Sequence, residues 1–177
     1  STSGGNIKVS RILMKFDLSE VSASIVDGTI TNPKFYLNMY DANSQNLSTS
    51  QSLYAYPISQ SWVEGQGTFS DDPETTEGAS WNFRDGLTQK TYWLGAGQNS
   101  VSASGGAWHD DVYASQSFKF EDEDMRMDVT PIMSKWLDGT ITNNGFMVEV
   151  TGPLMPSVPN FLSLLNVAKL ESSFLLI

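Results

Sequence analysis

The sequence predicts an all-β protein, an antiparallel β-sandwich with one short helix and long loops. Three observations support this prediction. Apolar and polar residues alternate along several short segments, turn-forming pairs separate those segments, and one segment alone follows a helical period. With 177 residues, the chain is long enough for a single domain with its own core, and residues 1–177 are assigned to one sandwich domain.

The alternation is typical of strands that bury one face. In residues 34–41, Phe35, Leu37 and Met39 fall on one face, and polar or aromatic side chains fall on the other. The segments predicted as strands are residues 11–17, 34–41, 51–58, 118–120, 125–129 and 146–148. The best-supported part of the domain is therefore residues 10–150. Residues 151–177 are assigned to an apolar tail or to one or two last strands.

The predicted helix runs from Pro131 to Leu137. Thr130 is expected to cap it with its hydroxyl, and proline suits a first helical position because no amide donor is needed there. Asp138-Gly139 is expected to end it, since glycine tolerates the left-handed conformation that closes many helices. The apolar face of this helix comprises Ile132, Met133, Trp136 and Leu137.

One hexapeptide, DGTITN, occurs twice, at residues 27–32 and 138–143. Each copy precedes a predicted strand. Two interpretations remain open. The copies are either two similar Asp-Gly turns that enter strands, or they mark equivalent places in two halves of a sandwich. Neither interpretation implies catalysis.

Composition excludes several classes of function. The formal net charge is −10, which argues against nucleic acid and anionic membrane surfaces as partners. The chain has no cysteine and a single histidine, so disulfides, thiolate metal sites and multi-histidine metal centres are excluded. No apolar run is long enough for a transmembrane helix, so no membrane insertion is expected.

A long polar region, residues 61–106, contains several tryptophans, and we expect it to form an ordered loop layer on the sandwich. Exposed aromatic rings can stack on sugar rings while neighbouring polar groups bond the hydroxyls. The glycan-binding candidates are Trp81, Arg84, Asp85, Trp93 and Trp108. Alternatively, the tryptophans anchor the loops by burial, which contributes roughly 2–3 kcal/mol per large side chain. The anchor role is favoured for Trp62 and Trp81, and both roles stay open for Trp93 and Trp108.

Catalytic and metal sites find less support. Glu64 and Asp85 could serve as a glycosidase pair, and His109 could act with Tyr113 and Arg84 in a lyase, but no spacing favours either arrangement. No catalytic residue and no cofactor is therefore predicted. A structural calcium ion is possible, because acidic loop residues supply the oxygen ligands that it prefers. The residues that could hold it are Asp71, Asp72, Glu74, Asp122 and Asp124.

Six segments in order carry a resemblance to a known family. They are RILMKFDLS from residue 11, GTITNPKFYLNMY, SWVEGQGT from residue 61, EGASWNFRDG from residue 77, MDVTPIMSKWLDG and NNGFMVEV. Together they resemble the disaggregatase-related repeat family, a jelly-roll β-sandwich similar to certain carbohydrate-binding modules. The stretches LYAYPISQSW and ASQSFKFEDEDMRMDVT look most like the versions in virion proteins of tailed phages that infect marine cyanobacteria.

The resemblance implies a non-enzymatic structural protein on the surface of a virion: a fibre, tail, neck or capsid-decoration component. Its implied partners are other virion proteins, further copies of itself and a host-surface or extracellular glycan. The alternative is a glycan-binding module of a secreted or cell-surface bacterial protein. The chain departs from the family before Arg11 and after Asn160, where strands are usual. A missing strand would leave an edge for another subunit to complete.

Overall fold

A computed structural model describes residues 11–41, 51–65, 77–86, 90–94, 105–118, 125–151 and 165–173. For residues 40–41, 150–151 and 165–173 it describes the backbone alone. Within these ranges the order of elements is β1 (Arg11–Met14), α1 (Ser19–Val26), β2 (Lys34–Asp41), β3 (Gln51–Pro57), β4 (Phe83–Asp85), β5 (Thr91–Tyr92), β6 (Ala114–Phe118), β7 (Met125–Asp128), α2 (Thr130–Leu137), β8 (Phe146–Thr151) and β9 (Leu165–Ser173). The all-β class is confirmed.

The strands form two main antiparallel sheets. One has the order β1-β8-β3-β6, the other has the order β7-β2-β9, and β4-β5 form a separate ribbon. Both main sheets bury apolar residues in the same cluster, for example Leu53 and Val148 from the first sheet and Leu37 and Met127 from the second. A shared core between two sheets is compatible with a β-sandwich.

Period-two alternation located most strands, but not all of their ends. The prediction for residues 34–41 is confirmed with the same bounds, and those for residues 51–58, 125–129 and 146–148 are confirmed within a few residues. Two predictions were partly wrong. The first strand ends at Met14, not at residue 17, and the fourth begins at Ala114, before the predicted start at Phe118. Residues 119–120 of the fourth strand lie outside the described ranges. Of the alternatives left open for residues 151–177, the structure shows a strand, β9, whose backbone pairs with β2.

The helix predicted from Pro131 to Leu137 is confirmed, but its predicted cap is wrong. The N-cap residue is Val129, and no side chain caps the helix. The Thr130 hydroxyl instead accepts a hydrogen bond from the backbone amide of Phe35 at 2.9 Å, while the Thr130 amide donates to Asp128 Oδ1 at 2.9 Å. Thr130 therefore ties α2 to β2.

The prediction of one helix was wrong, because Ser19–Val26 forms a second one. This helix is rich in serine and in β-branched residues, which have modest helix propensity, and it buries no residue fully. Its amphipathic pattern is correspondingly weak. Neither helix in the described ranges is long and apolar enough to cross a membrane.

Both DGTITN copies begin at the C-cap of a helix and lead towards a strand. The C-cap Asp27 has φ −79° and ψ −5°, and the C-cap Asp138 has φ −85° and ψ −4°. Each carboxylate accepts the amide of the threonine two residues later at 2.8 Å. The unit β1-α1-β2 thus matches the unit β7-α2-β8, and the two interlock because β1 pairs with β8 and β7 pairs with β2.

Some predictions concern residues outside the described ranges. They include the possible calcium ligands Asp71, Asp72, Glu74, Asp122 and Asp124, and the completion of the sandwich edge before Arg11. These stay predictions.

Candidate functional site

The loop layer covers one end of the outer face of the four-stranded sheet. In β8, Phe146 and Val148 point into the main core, whereas Met147 points outwards and is nevertheless fully buried. It is buried in a second apolar cluster with Ile58, Trp93 and Ala107, which come from the loops and from the residue that follows β3. The described loop residues are therefore packed on the sheet, as the tryptophan content predicted, while residues 66–76, 87–89 and 95–104 lie outside the described ranges.

Two tryptophans anchor this layer. Trp93 is 1% exposed, and its indole N–H donates to the Ser80 carbonyl at 2.9 Å. Trp62 is half-buried, and its indole N–H donates to the Asn144 carbonyl at 2.8 Å, just before β8. Both rings therefore combine apolar burial with a satisfied donor, as buried tryptophans usually do. Trp93, a glycan-binding candidate, presents no ring face to solvent.

Arg11 connects the sheet to the loops. Its guanidinium carbon lies 5.0 Å from the centre of the Trp81 ring and 4.9 Å from that of Trp108, within the range of cation–π attraction. Its Nε donates to Glu149 at 2.7 Å, and its Nη1 donates to the Gly105 carbonyl. Glu149 offsets the charge, and the guanidinium holds both rings in place.

Beside Arg11 lies an open depression of about 410 Å³. Leu13 and Trp62 contribute apolar surface to it, and Glu64 and Ser80 contribute polar groups. Trp81 lines the depression and is 44% exposed, so one aromatic surface remains available to solvent. This combination of a concave apolar surface with a few polar groups is typical of small-ligand sites.

The structure brings together only part of the predicted set. Trp81 and Trp108 both contact Arg11, whereas Trp93 lies in the second cluster. Arg84 donates from Nη1 to the carbonyl and hydroxyl oxygens of Ser61, at 2.9 and 3.1 Å. Asp85 is half-buried at the end of β4. Arg84 therefore supports the loop layer rather than the Trp81 surface.

A row of aromatic residues, which sequence reasoning missed, adjoins this site. Its members are Trp108, Tyr56, Tyr54 and Tyr113, and we call it the tyrosine strip. Each ring lies within 6 Å of the next, measured between ring centres. Alternation in residues 51–58 could have placed Tyr54 and Tyr56 on one face, but it could not show that this face is the outer one.

The polar groups of the strip are largely neutral. Burial, followed by the nearby Glu149 carboxylate, raises the pKa of the Tyr56 hydroxyl above its usual value of 10.0. The phenol therefore stays protonated around neutral pH and can donate a hydrogen bond. Among the residues that the structure describes, no group of three or more His, Asp or Glu side chains is placed to hold a metal ion.

The residues considered for catalysis have other surroundings. Glu64 lines the depression, while Asp85 ends β4. The backbone amide of His109 donates to the Pro57 carbonyl at 3.0 Å, and the Tyr113 ring contacts Tyr54 and Tyr56.

Comparisons with known proteins returned no family model, no curated protein and no solved structure that matches this chain.

Proposed function

We propose that this chain is a non-enzymatic structural domain of a virion, a jelly-roll β-sandwich that attaches the particle surface to glycans through Trp81. The observation that carries the attachment role is the Trp81 ring, which is 44% exposed and lines the depression beside Arg11. A flat aromatic surface next to polar groups suits the apolar face and the hydroxyls of a pyranose ring.

Preorganisation supports this role. Trp81 lies against the Arg11 guanidinium, which Glu149 and Gly105 hold in turn. The side chain therefore loses little freedom when a ligand binds, which favours affinity. The depression, at about 410 Å³, lies within the range of about 300–1,000 Å³ that small-ligand sites occupy.

The proposed place on a virion rests on the resemblance. The sequence segments that carry the resemblance contact one another in the structure, which favours a scaffold shared with that family. Arg11 of the first segment packs on Trp81 of the fourth. The Trp62 indole of the third segment donates a hydrogen bond to the Asn144 carbonyl of the last. The expected partners are other virion proteins and further copies of this chain. The expected location is the outer surface of the particle.

Glycan binding is tested with Trp81→Ala on a glycan array, followed by titration calorimetry with any glycan retained. We expect the substitution to reduce affinity about tenfold or more, since it removes the stacking surface. Tyr92→Ala is the matched control, because Tyr92 is 45% exposed and lies on the β4-β5 ribbon. Loss of binding in both variants, or no binding by the native chain, would contradict the attachment role.

The virion role is tested separately. An antibody against this chain should label purified phage particles by electron microscopy, and the chain should remain with the particles through a density gradient. Recovery only in the soluble fraction of infected cells would contradict it.

A further inference from the structure

The tyrosine strip lies on the outer face of the four-stranded sheet, which the described loop residues cover at one end. In β3, Leu53 and Ala55 are fully buried in the main core, whereas Tyr54 and Tyr56 alternate with them and point the other way. The loop layer packs on Tyr56 through Trp108, while Tyr113, beyond them, is 53% exposed. The strip therefore begins under the loops and ends in solvent.

The rings form one continuous surface. Tyr54 and Tyr56 are stacked, with ring centres 5.9 Å apart and planes 9° from parallel. Tyr113 lies 5.7 Å from Tyr54 and 5.8 Å from Tyr56, and Trp108 lies 5.9 Å from Tyr56. Because Trp108 and Trp81 both contact Arg11, the strip is continuous with the proposed attachment site.

We propose that the tyrosine strip extends the Trp81 site, so that the ligand is a linear, uncharged polysaccharide chain and not a single sugar. This inference rests on the proposed function. One sugar unit of the polymer, at its end or within the chain, would stack on Trp81. The following sugar units would contact Trp108, Tyr56 and Tyr113 in turn.

The groups around the strip favour a sugar polymer over a protein partner. The neighbouring outward positions on β3 and β6 carry hydroxyls: Ser52 and Ser117 lie 3.1 Å apart between their Oγ atoms, and Ser115 is opposite Tyr54. These hydroxyls and the phenols can bond sugar hydroxyls while the rings cover the apolar faces. Protein interfaces share the enrichment in tyrosine and tryptophan, but they are depleted in serine relative to the rest of the surface.

Charge favours an uncharged polymer. The net charge of the chain is −10, which disfavours a polyanion. The cation beside the strip, Arg11, already pairs with Glu149 at 2.7 Å. An acidic polysaccharide would therefore meet long-range repulsion and would have to compete with Glu149 for the guanidinium.

The test uses affinity electrophoresis of the whole chain in xylan, mannan, laminarin and hydroxyethylcellulose, with alginate as the acidic polymer. Titration calorimetry then follows with two-sugar and six-sugar fragments of each neutral polymer retained. We expect the six-sugar fragment to bind more tightly than the two-sugar fragment. Tyr113→Ala should weaken the six-sugar fragment about three- to tenfold, the loss of one aromatic contact, and leave the two-sugar fragment unchanged.

Two further variants keep the result interpretable. Trp81→Ala should weaken both fragments, and Tyr92→Ala should weaken neither. Suppose that Trp81→Ala abolishes binding, but that Tyr113→Ala leaves the six-sugar affinity at the native value, both alone and combined with Tyr54→Phe. The inference is then wrong and the proposed function stands. Retention by none of the polymers, alginate included, overturns both.

Other outcomes overturn the inference alone. Tighter retention in alginate than in the neutral polymers would show that the ligand is charged. A native mass of two or more chains in light scattering that falls to one chain in Tyr113→Ala would show that the strip is an interface between copies.

Discussion

The two interlocked units of the molecule, β1-α1-β2 and β7-α2-β8, follow the same path but are buried to different depths. Their helices begin alike: the N-cap residues Leu18 and Val129 both have φ −106°, with ψ of 7° and 12°. An aspartate before each helix accepts the amide of its first residue at 2.9 Å. The same hexapeptide then ends each helix.

Burial separates the units. The helix α2 buries Ile132, Met133 and Trp136, and the Trp136 ring lies 4.6 Å from that of Phe146. The helix α1 has no fully buried residue, and Val26 at its end is 85% exposed. Capping and turn chemistry therefore set the local path of the backbone in both units. The size and position of the side chains decide how much each helix contributes to the core.

The largest difference is expected from truncating equivalent apolar residues. Aligned on the hexapeptide, Ile132 of α2 corresponds to Val21 of α1. Ile132 is fully buried, so Ile132→Ala should lower the free energy of unfolding by about 2–5 kcal/mol. Val21 is only half-buried, so Val21→Ala should cost about 1 kcal/mol or less. Urea denaturation monitored by tryptophan fluorescence measures both. Equal losses would show that α1 is as deeply packed as α2.

A smaller and equal effect is expected at the two turns. Gly28 and Gly139 have φ of +82° and +77°, and a Cβ atom at either would meet nothing within 4 Å. Only the left-handed backbone therefore opposes a side chain, at about 1–2 kcal/mol. Gly28→Ala and Gly139→Ala should each lower stability by that amount in the same urea experiment. A clearly larger loss at one of them would mean that the two turns are not equivalent.

How much of this could be predicted depends on the range of the interactions. Alternation along β2 and β7 is local, and so are the proline and apolar face of α2, so these elements could be read from neighbouring residues. The helix α1 gave no such signal, because its serines and β-branched residues favour no single structure. Its ends are defined by Asp17 and Asp27, and the matching DGTITN copy at α2 was the available clue.

The site was harder to predict because its contacts are long-range. Residue type selected Trp81, Trp93 and Trp108 as candidates, but the anchor role favoured for Trp81 was wrong, since Trp81 is exposed and Trp93 is the buried one. The residue that organises the site, Arg11, pairs with Glu149 across almost the whole chain. Only the register of β1 against β8 places these two residues opposite each other.

The two C-cap aspartates provide a pH test of the same comparison. Hydrogen bonds from the side chain and amide of Thr29 lower the pKa of Asp27 from its ordinary value of 3.8, and Thr140 does the same for Asp138. Because the folded pKa is lowered, each carboxylate stabilises the fold above about pH 4, and this contribution is lost as pH falls through the lowered value. Asp27→Asn and Asp138→Asn should each reduce the loss of stability between pH 5 and about pH 2.5.

Urea titrations at several pH values measure this effect, with the native chain as the reference. The two variants should change the acid response by similar amounts, and the double variant should change it by their sum, because the turns lie in separate units. An acid response that is unchanged in both variants would show that these carboxylates do not stabilise the fold.

The smallest expected effect tests whether the entry to α1 can take the residue found in α2. Glu20 of α1 corresponds to Pro131 of α2, and the N-cap dihedrals that precede them are nearly the same. Glu20→Pro should therefore stabilise the chain by about 0.4–1 kcal/mol, since proline restricts the unfolded state at a position where no helical donor is needed. Ser22→Pro is the control: its amide donates to the Leu18 carbonyl at 2.8 Å, so it should destabilise by about 3 kcal/mol. Destabilisation by Glu20→Pro as well would show that α1 cannot adopt the backbone conformation that proline requires. The two helices would then have the same C-terminal turns but different backbone conformations at their first residues.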